Sequence, residues 1–86
     1  MEKSAIMIMV LTDQTQLISQ IEEIGADIGE PDCKLTEPFV ISKQGMLTPW
    51  LINVTDENQF MISSDKILTL VEPNSAFIQK YKDLLK

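Results

Sequence analysis

Short apolar segments, separated by residues that favour turns, run through most of this chain. The segments are rich in Ile, Val and Met and end near Gly, Pro, Asn, Asp or Ser, which predicts β-strands joined by turns. Many short strands followed by one terminal helix indicate a small β-barrel. The chain has 86 residues, enough for one domain with one hydrophobic core. The predicted strands lie at residues 4–12, 33–43, 46–54, 59–62 and 66–72.

Residues 16–25 fit two kinds of structure. Leu17, Ile21 and Ile24 recur at spacings of four and three, as on one face of a helix, and Gly25 is placed to end it. The same segment can also be divided into two alternating sets of side chains, as in a strand with two faces. The local signals alone favour the helix.

Proline and capping residues define the other boundaries. Pro38 and Pro49 lie inside predicted strands, so each should occupy a sheet edge or a bulge, because proline has no N–H to donate. Pro73 ends the last strand, and Asn74 or Ser75 can cap a C-terminal helix. The apolar face of that helix consists of Phe77, Tyr81, Leu84 and Leu85.

The charged residues exclude several kinds of active site. Thirteen acidic residues stand against seven basic ones, giving a formal charge of −6, and all the basic residues are lysine. Without histidine, Ser–His and Cys–His nucleophile pairs and imidazole zinc sites are impossible. Without arginine, no guanidinium can bind phosphate or guanine in bidentate fashion. We expect a protein that is not an enzyme and uses no cofactor or metal ion, since no nucleophile motif or Gly-rich phosphate loop is present.

The compartment is inferred from the cysteine content and the N-terminal residues. Cys33 is the only cysteine, so no disulfide forms within the chain, and no histidine is present to activate its thiol. The apolar run 5–11 is too short to span a bilayer. Glu2 and the lack of a small-residue cleavage site argue against a signal peptide. A cytoplasmic protein with no membrane partner is therefore expected.

Two stretches of the chain carry a resemblance to a known family. In residues 9–22 (MVLTDQTQLISQIE), an apolar strand runs into a turn and then into a second strand. In residues 60–71 (FMISSDKILTLV), an apolar strand, a polar turn and an Ile-rich strand follow one another. This pattern resembles the two motifs of the Sm-like family, which includes bacterial Hfq, in its divergent phage and marine-metagenome form. Gln14 and Ser19 stand where the family has a turn glycine and a strand glycine.

The resemblance implies a mainly β fold, a small and strongly bent five-stranded barrel. Residues 41–58 exceed the family's usual connection and leave room for an extra hairpin. The single Sm-like domain would span 1–86, with the barrel at about 4–72 and a C-terminal helix at about 75–86. Residues 16–25 then become the second strand, and we adopt this prediction over the helix. Family members assemble into rings, so we expect a cyclic homo-oligomer of roughly five to seven subunits, joined through their edge strands.

In the family, rings hold RNA at the pore, where two turns of each subunit face the ligand. By position, these turns lie at about 31–34 and 63–66. The resemblance thus implies a nucleic-acid site made of Lys34, Ser63, Ser64, Asp65 and Lys66. In this hypothesis the lysines form a cationic ring and the serine hydroxyls bond phosphate or base edges. The alternative is a serine turn capped by Asp65 with solvated lysines, since the Asp65 carboxylate would repel phosphate.

Aromatic and acidic residues also have two interpretations. Trp50, Phe39 and Phe60 could be base-stacking platforms, but each lies in an apolar run, which favours packing in the core or between subunits. The acidic residues of 22–37 lack calcium-loop spacing, which favours a solvated acidic face.

Two functions from different classes remain open. The first is a non-catalytic Sm-like ring protein that binds RNA or single-stranded DNA at the ring pore and has a role in nucleic-acid processing. The second is an acidic structural or adaptor ring that binds protein partners and has no nucleic-acid role. The charge of −6 per subunit motivates the second, because a ring multiplies its repulsion of polyanions.

Overall fold

The computed structural model describes residues 5–85, and their secondary structure is mainly β. A 3₁₀ turn spans Ser64–Lys66, and helix α1 spans Ser75–Leu84. The prediction of a mainly β domain with a C-terminal helix is confirmed. The predicted boundaries at Ser4 and Lys86 lie outside the described residues. The strands are β1 (Ala5–Leu11), β2 (Gln16–Glu23), β3 (Cys33–Ile41), β4 (Leu47–Pro49), β5 (Gln59–Ile62) and β6 (Ile67–Val71).

The strands form one bent antiparallel sheet in the order β4–β3–β2–β1–β6. The long strand β3 pairs with β2 along one edge. Along its other edge, its first half pairs with β5 and its second half with β4. Strands β1, β2, β3, β5 and β6 are the five expected strands, and β4 belongs to the extra hairpin. Within residues 5–85, β5 and β6 do not pair with each other, so the sheet is not closed.

The segment 16–25 contains strand β2, and the helix favoured by local spacing is absent. Strand β2 is buried on both faces of the sheet. Leu17 and Ile21 pack into one hydrophobic cluster, whereas Ile18 packs into another. A strand with apolar residues on both faces lacks clean alternation, and this explains why its spacing imitates a helix.

Strand β3 bends at Glu37 and Pro38. These two residues lie opposite a single residue of β2, Ser19, which defines a β-bulge. Glu37 has a φ of +56°, and its N–H donates to the carbonyl oxygen of Asn58 at 2.7 Å. A proline fits here because no ladder hydrogen bond needs its missing N–H. The bulge predicted from Pro38 is therefore confirmed.

Each face of the sheet carries its own hydrophobic cluster. We call the cluster on the face away from α1 the barrel core, and the cluster between the sheet and α1 the helix core. The helix core is built on Ile18, Phe39 and Tyr81, with Phe77 packed against it. The barrel core is built on Met9, Leu11, Leu17, Ile21, Cys33 and Leu35.

Two sequence expectations about the second half of the chain are wrong in detail. The strand predicted for 46–54 is limited to Leu47–Pro49, because the chain turns after it and Leu51 adopts a φ of +61°.

Only part of the predicted apolar face of α1 packs against the sheet. Asn74 caps the helix by accepting from the Phe77 N–H, and Tyr81 is fully buried. Leu84 and Leu85 stay exposed, because the contacts of α1 with the sheet are made by Phe77 and Tyr81.

Candidate nucleic-acid interface

A double hydrogen bond joins the β2–β3 connection to the turn between β5 and β6. One carboxylate oxygen of Asp32, Oδ1, accepts from the Ser64 N–H at 2.7 Å. The other, Oδ2, accepts from the Ser64 hydroxyl at 2.8 Å. The two predicted turns therefore meet in space. These hydrogen bonds, with the Ser64 N–H as the largest contributor, lower the pKa of Asp32 below its ordinary value.

Local hydrogen bonds shape each of the two connections. In the first, the Ile24 N–H donates to the Asp32 carbonyl at 2.9 Å and closes the base of the loop. In the second, the Lys66 N–H donates to the Ser63 carbonyl at 3.0 Å, which closes the 3₁₀ turn. The Lys66 carbonyl in turn accepts from the Thr12 N–H at 2.9 Å. The 63–66 turn is thus anchored to the β1–β2 hairpin on one side and to Asp32 on the other.

The predicted site residues do not all occupy the predicted turns. Lys34 lies one residue inside β3, where its ammonium is 3.6 Å from a carboxylate oxygen of Glu22 on β2. The Ser64 hydroxyl donates to Asp32, so it does not point freely to a ligand. Asp65 makes no capping hydrogen bond to the 3₁₀ turn among the described residues. Ser63, Asp65 and Lys66 remain on the turn, and Asp65 and Lys66 are exposed.

The joined turns border an open groove of about 360 Å³. Its lining includes four carboxylates and none of the described lysines. Ile28 stands fully exposed in the same lining, on a turn in which Gly29 has a φ of +90°. The sequence showed the acidic stretch but gave no signal that Asp32 would reach Ser64. The groove carboxylates belong to Asp27, Glu30, Asp32 and Asp65.

The sequence model of one protein family matches residues 4–86 of the chain. The chain belongs to DUF6561, a family of unknown function. No curated protein matches it. This family therefore adds no known ligand or activity to the geometry of the joined turns.

The aromatic side chains pack inside the domain, as their apolar surroundings indicated. The Phe39 and Tyr81 rings meet edge to face with centroids 5.8 Å apart. The Trp50 and Phe60 rings are tilted against each other at 5.5 Å, and both border the barrel core. Phe39 and Tyr81 are buried and Trp50 and Phe60 are partly buried, so the four rings contribute to the packing of the domain.

Cys33 is buried, and burial is the main reason why the pKa of its thiol is raised. The nearby carboxylates of Asp32 and Glu23 raise that pKa further.

Within residues 5–85, no group of His, Cys, Asp and Glu side chains is arranged to hold a metal ion. None of the helices in the described part of the chain is long and apolar enough to cross a membrane.

Proposed function

We propose that this protein is a non-catalytic, Sm-like ring subunit that binds RNA or single-stranded DNA where its two joined turns face the ring pore. A role in nucleic-acid processing, in the cytoplasm, belongs to the same proposal. The observation that carries it is the strand order, which leaves β5 and β6 as open edges of one bent sheet. The buried single thiol of Cys33 is compatible with a reducing compartment.

Open strand edges support assembly into a ring. Each edge presents unpaired backbone N–H and C=O groups, which favour pairing with another strand. The two edges belong to different strands, so the contact between copies is heterologous, and rotation closes such contacts into a ring. We expect roughly five to seven copies, as the family resemblance implies.

The backbone at Gln14 supports the family resemblance independently of the sheet order. Gln14 stands where the family has a turn glycine, and its φ is +75°, a conformation that glycine adopts at little cost. Ser19 stands where the family has a strand glycine, and it lies opposite the bulge that bends β3. The turn position thus has the backbone conformation that favours glycine, whereas Ser19 uses its hydroxyl, which donates to the Thr36 carbonyl at 3.0 Å.

The ring would bring one copy of the joined turns from each subunit to the pore. Lys66 is the exposed cation on these turns, and Ser63 lies three residues before it, at the start of the same turn. Lys34 can contribute only if its ion pair with Glu22 opens. Phosphate contacts from Lys66 of every subunit would add across the ring, which gives salt-sensitive binding.

The proposal is tested by oligonucleotide titration and light scattering on the full chain. Labelled oligo-U and oligo-A should bind at low salt, with an affinity that falls as salt rises. Lys66→Gln should weaken this binding. Lys82→Gln on α1 changes the charge equally, from −6 to −7, and should weaken it much less. A monomeric protein at micromolar concentration would contradict the ring.

A second candidate is an acidic adaptor ring for protein partners, and the groove favours it. Four carboxylates beside the joined turns create a negative surface that repels phosphate and attracts cationic peptide segments. An assembled ring that binds neither oligonucleotide at low salt would support this candidate. Binding of both oligonucleotides, reduced by Lys66→Gln, would exclude it.

A further inference from the structure

The groove beside the joined turns offers hydrogen-bond acceptors on its charged side chains. All four are carboxylates, which in their ionised form only accept hydrogen bonds, and none of the described lysines lines the groove. Such a lining repels a phosphate and attracts a group that carries N–H donors. A nucleic acid held at the joined turns would therefore place a base edge, and not its phosphates, in this groove.

Among the four carboxylates, Asp65 is the one that is placed to read a base. Asp65 is exposed, and its side chain makes no hydrogen bond or ion pair within residues 5–85. The Asp32 carboxylate, in contrast, already accepts two hydrogen bonds from Ser64. The other two carboxylates come from the β2–β3 connection and have no cation next to them in the chain. Asp65 directly precedes Lys66, the phosphate contact of the proposed site.

The backbone that carries Asp65 and Lys66 is fixed on both sides. The Lys66 N–H donates to the Ser63 carbonyl at 3.0 Å, and the Thr12 N–H donates to the Lys66 carbonyl at 2.9 Å. The double hydrogen bond described above holds the residue before Asp65. Binding through these two side chains therefore costs their own rotamer entropy and little ordering of the turn.

The chemistry of the bases selects one partner for a free carboxylate. The Watson–Crick edge of guanine presents two adjacent donors, N1–H and the N2 amino group, which match the two oxygens of a carboxylate. Adenine and cytosine present one amino group beside an acceptor nitrogen, and uracil presents one N–H between two carbonyl oxygens. Hydrogen bonds to an ionised acceptor are also stronger than those between neutral groups.

Ile28 gives the same groove an apolar surface. Its side chain is fully exposed, on the turn in which Gly29 has a φ of +90°. An apolar side chain can pack against the flat face of an unstacked base while polar groups bond its edge. The groove thus combines acceptors for a base edge with a surface for a base face.

We propose that Asp65 makes the nucleic-acid site selective for guanine. Its two carboxylate oxygens accept from guanine N1–H and N2–H, while Lys66 of the same turn contacts a neighbouring phosphate. This inference rests on the proposed nucleic-acid function and names the base that the site reads. The acidic groove, whose charge alone opposes nucleic-acid binding, then supplies the base selectivity.

The test is a fluorescence-polarisation titration of the full chain at low salt with three labelled oligonucleotides of equal length. The first is oligo-U, the second carries one guanine at its centre, and the third carries inosine at that position. The guanine oligonucleotide should bind about fivefold or more tightly than oligo-U, as a bidentate base contact predicts. Inosine keeps N1–H but lacks the N2 amino group, so it should lose most of this advantage.

The decisive variant is Asp65→Asn. It should abolish the preference for guanine without weakening the binding of oligo-U, because it removes a negative charge near the phosphates. The matched control is Asp56→Asn, which makes the same charge change, from −6 to −5, in the exposed segment before β5. This control should keep the guanine preference of the wild type. Circular dichroism shows that each variant is folded.

The outcomes distinguish this inference from the function on which it rests. If the wild type binds all three oligonucleotides equally, the selectivity for guanine is wrong while nucleic-acid binding stands. If Asp65→Asn keeps the guanine preference, another group reads the base and the role of Asp65 is overturned. A wild type that binds none of the oligonucleotides at low salt overturns both proposals.

Discussion

The Tyr81 hydroxyl of α1 lies 2.8 Å from the carbonyl oxygen of Glu37 at the bulge of β3. The Tyr81 hydroxyl oxygen in turn accepts from the Gln20 N–H of β2 at 3.2 Å. The bulge interrupts the β2–β3 ladder at this point, and the tyrosine supplies partners for the backbone groups left over. The C-terminal helix is thus fixed to the sheet at the position where the sheet bends.

Removing the Tyr81 hydroxyl should destabilise the domain. Tyr81→Phe keeps the ring packing against Phe39 but leaves buried backbone groups without a partner. We expect a loss of about 1–3 kcal/mol in the free energy of unfolding, measured by urea denaturation. Ser19→Ala tests the other side of the bulge, because the Ser19 hydroxyl donates to the Thr36 carbonyl at 3.0 Å. A Tyr81→Phe variant as stable as the wild type would contradict this role.

Stability should fall at alkaline pH. Burial is the main cause that raises the pKa of Tyr81 above its ordinary value, and the native state therefore disfavours the phenolate. Burial raises the pKa of Cys33 in the same direction. Above the unfolded-state pKa of each group, the unfolded chain loses its proton first, so rising pH favours unfolding. Tyr81→Phe should make the melting temperature less sensitive to pH above about 10, the ordinary tyrosine pKa.

Several elements could be predicted from sequence because their signals are local. β5 begins and ends as predicted at Gln59 and Ile62, and Asn74 caps α1 as its position indicated. The turn at 63–66 was also predicted, and with it one half of the candidate site. The contact of Asp32 with Ser64 joins residues 32 positions apart, and no local pattern encodes it. The sequence predicts too long a β4, because the exposed apolar segment that follows Pro49 has the composition of a strand.

Asp32 should control the ordering of the two joined turns. Asp32→Ala removes both acceptors of Ser64, so hydrogen exchange at the Ser64 amide should become faster in NMR measurements. The two hydrogen bonds between Asp32 and Ser64 should also weaken in acid. The pKa of Asp32 is lowered in the folded protein, so the Asp32 carboxylate stabilises the fold fully above about pH 3.9, the ordinary aspartate pKa. This stabilisation is lost as the pH falls through the pKa that Asp32 has in the folded protein. Unchanged hydrogen exchange at the Ser64 amide in Asp32→Ala would contradict the role of the Asp32–Ser64 hydrogen bonds in joining the two turns.

Glycine at position 14 should stabilise the protein. Gln14 adopts a φ of +75° in the β1–β2 turn, which costs a side-chain-bearing residue free energy that glycine avoids. Because glycine also increases the entropy of the unfolded chain, we expect a net gain of up to about 1 kcal/mol from Gln14→Gly. Gln16→Gly, at the start of β2, is the matched control and should destabilise. Equal effects of the two substitutions would show that the positive φ carries no cost.

Releasing Lys34 from its ion pair should separate the two proposed functions. Glu22 and Lys34 are cross-strand neighbours on β2 and β3, and both side chains are partly exposed, so the pair contributes less than about 1 kcal/mol to stability. Glu22→Gln therefore leaves the fold intact while it frees the Lys34 ammonium. If nucleic acid binds near the joined turns, its affinity should rise about threefold at low salt, within the energy range of one exposed ion pair.

The matched control for that experiment is Glu57→Gln, which makes the same charge change in the exposed segment before β5. A general weakening of phosphate repulsion would raise affinity equally in both variants, because each shifts the net charge from −6 to −5. A larger effect in Glu22→Gln would assign the gain to Lys34 itself. If neither variant binds oligonucleotide at low salt while the ring still assembles, the carboxylates of the groove dominate, and the acidic adaptor becomes the better account of this fold.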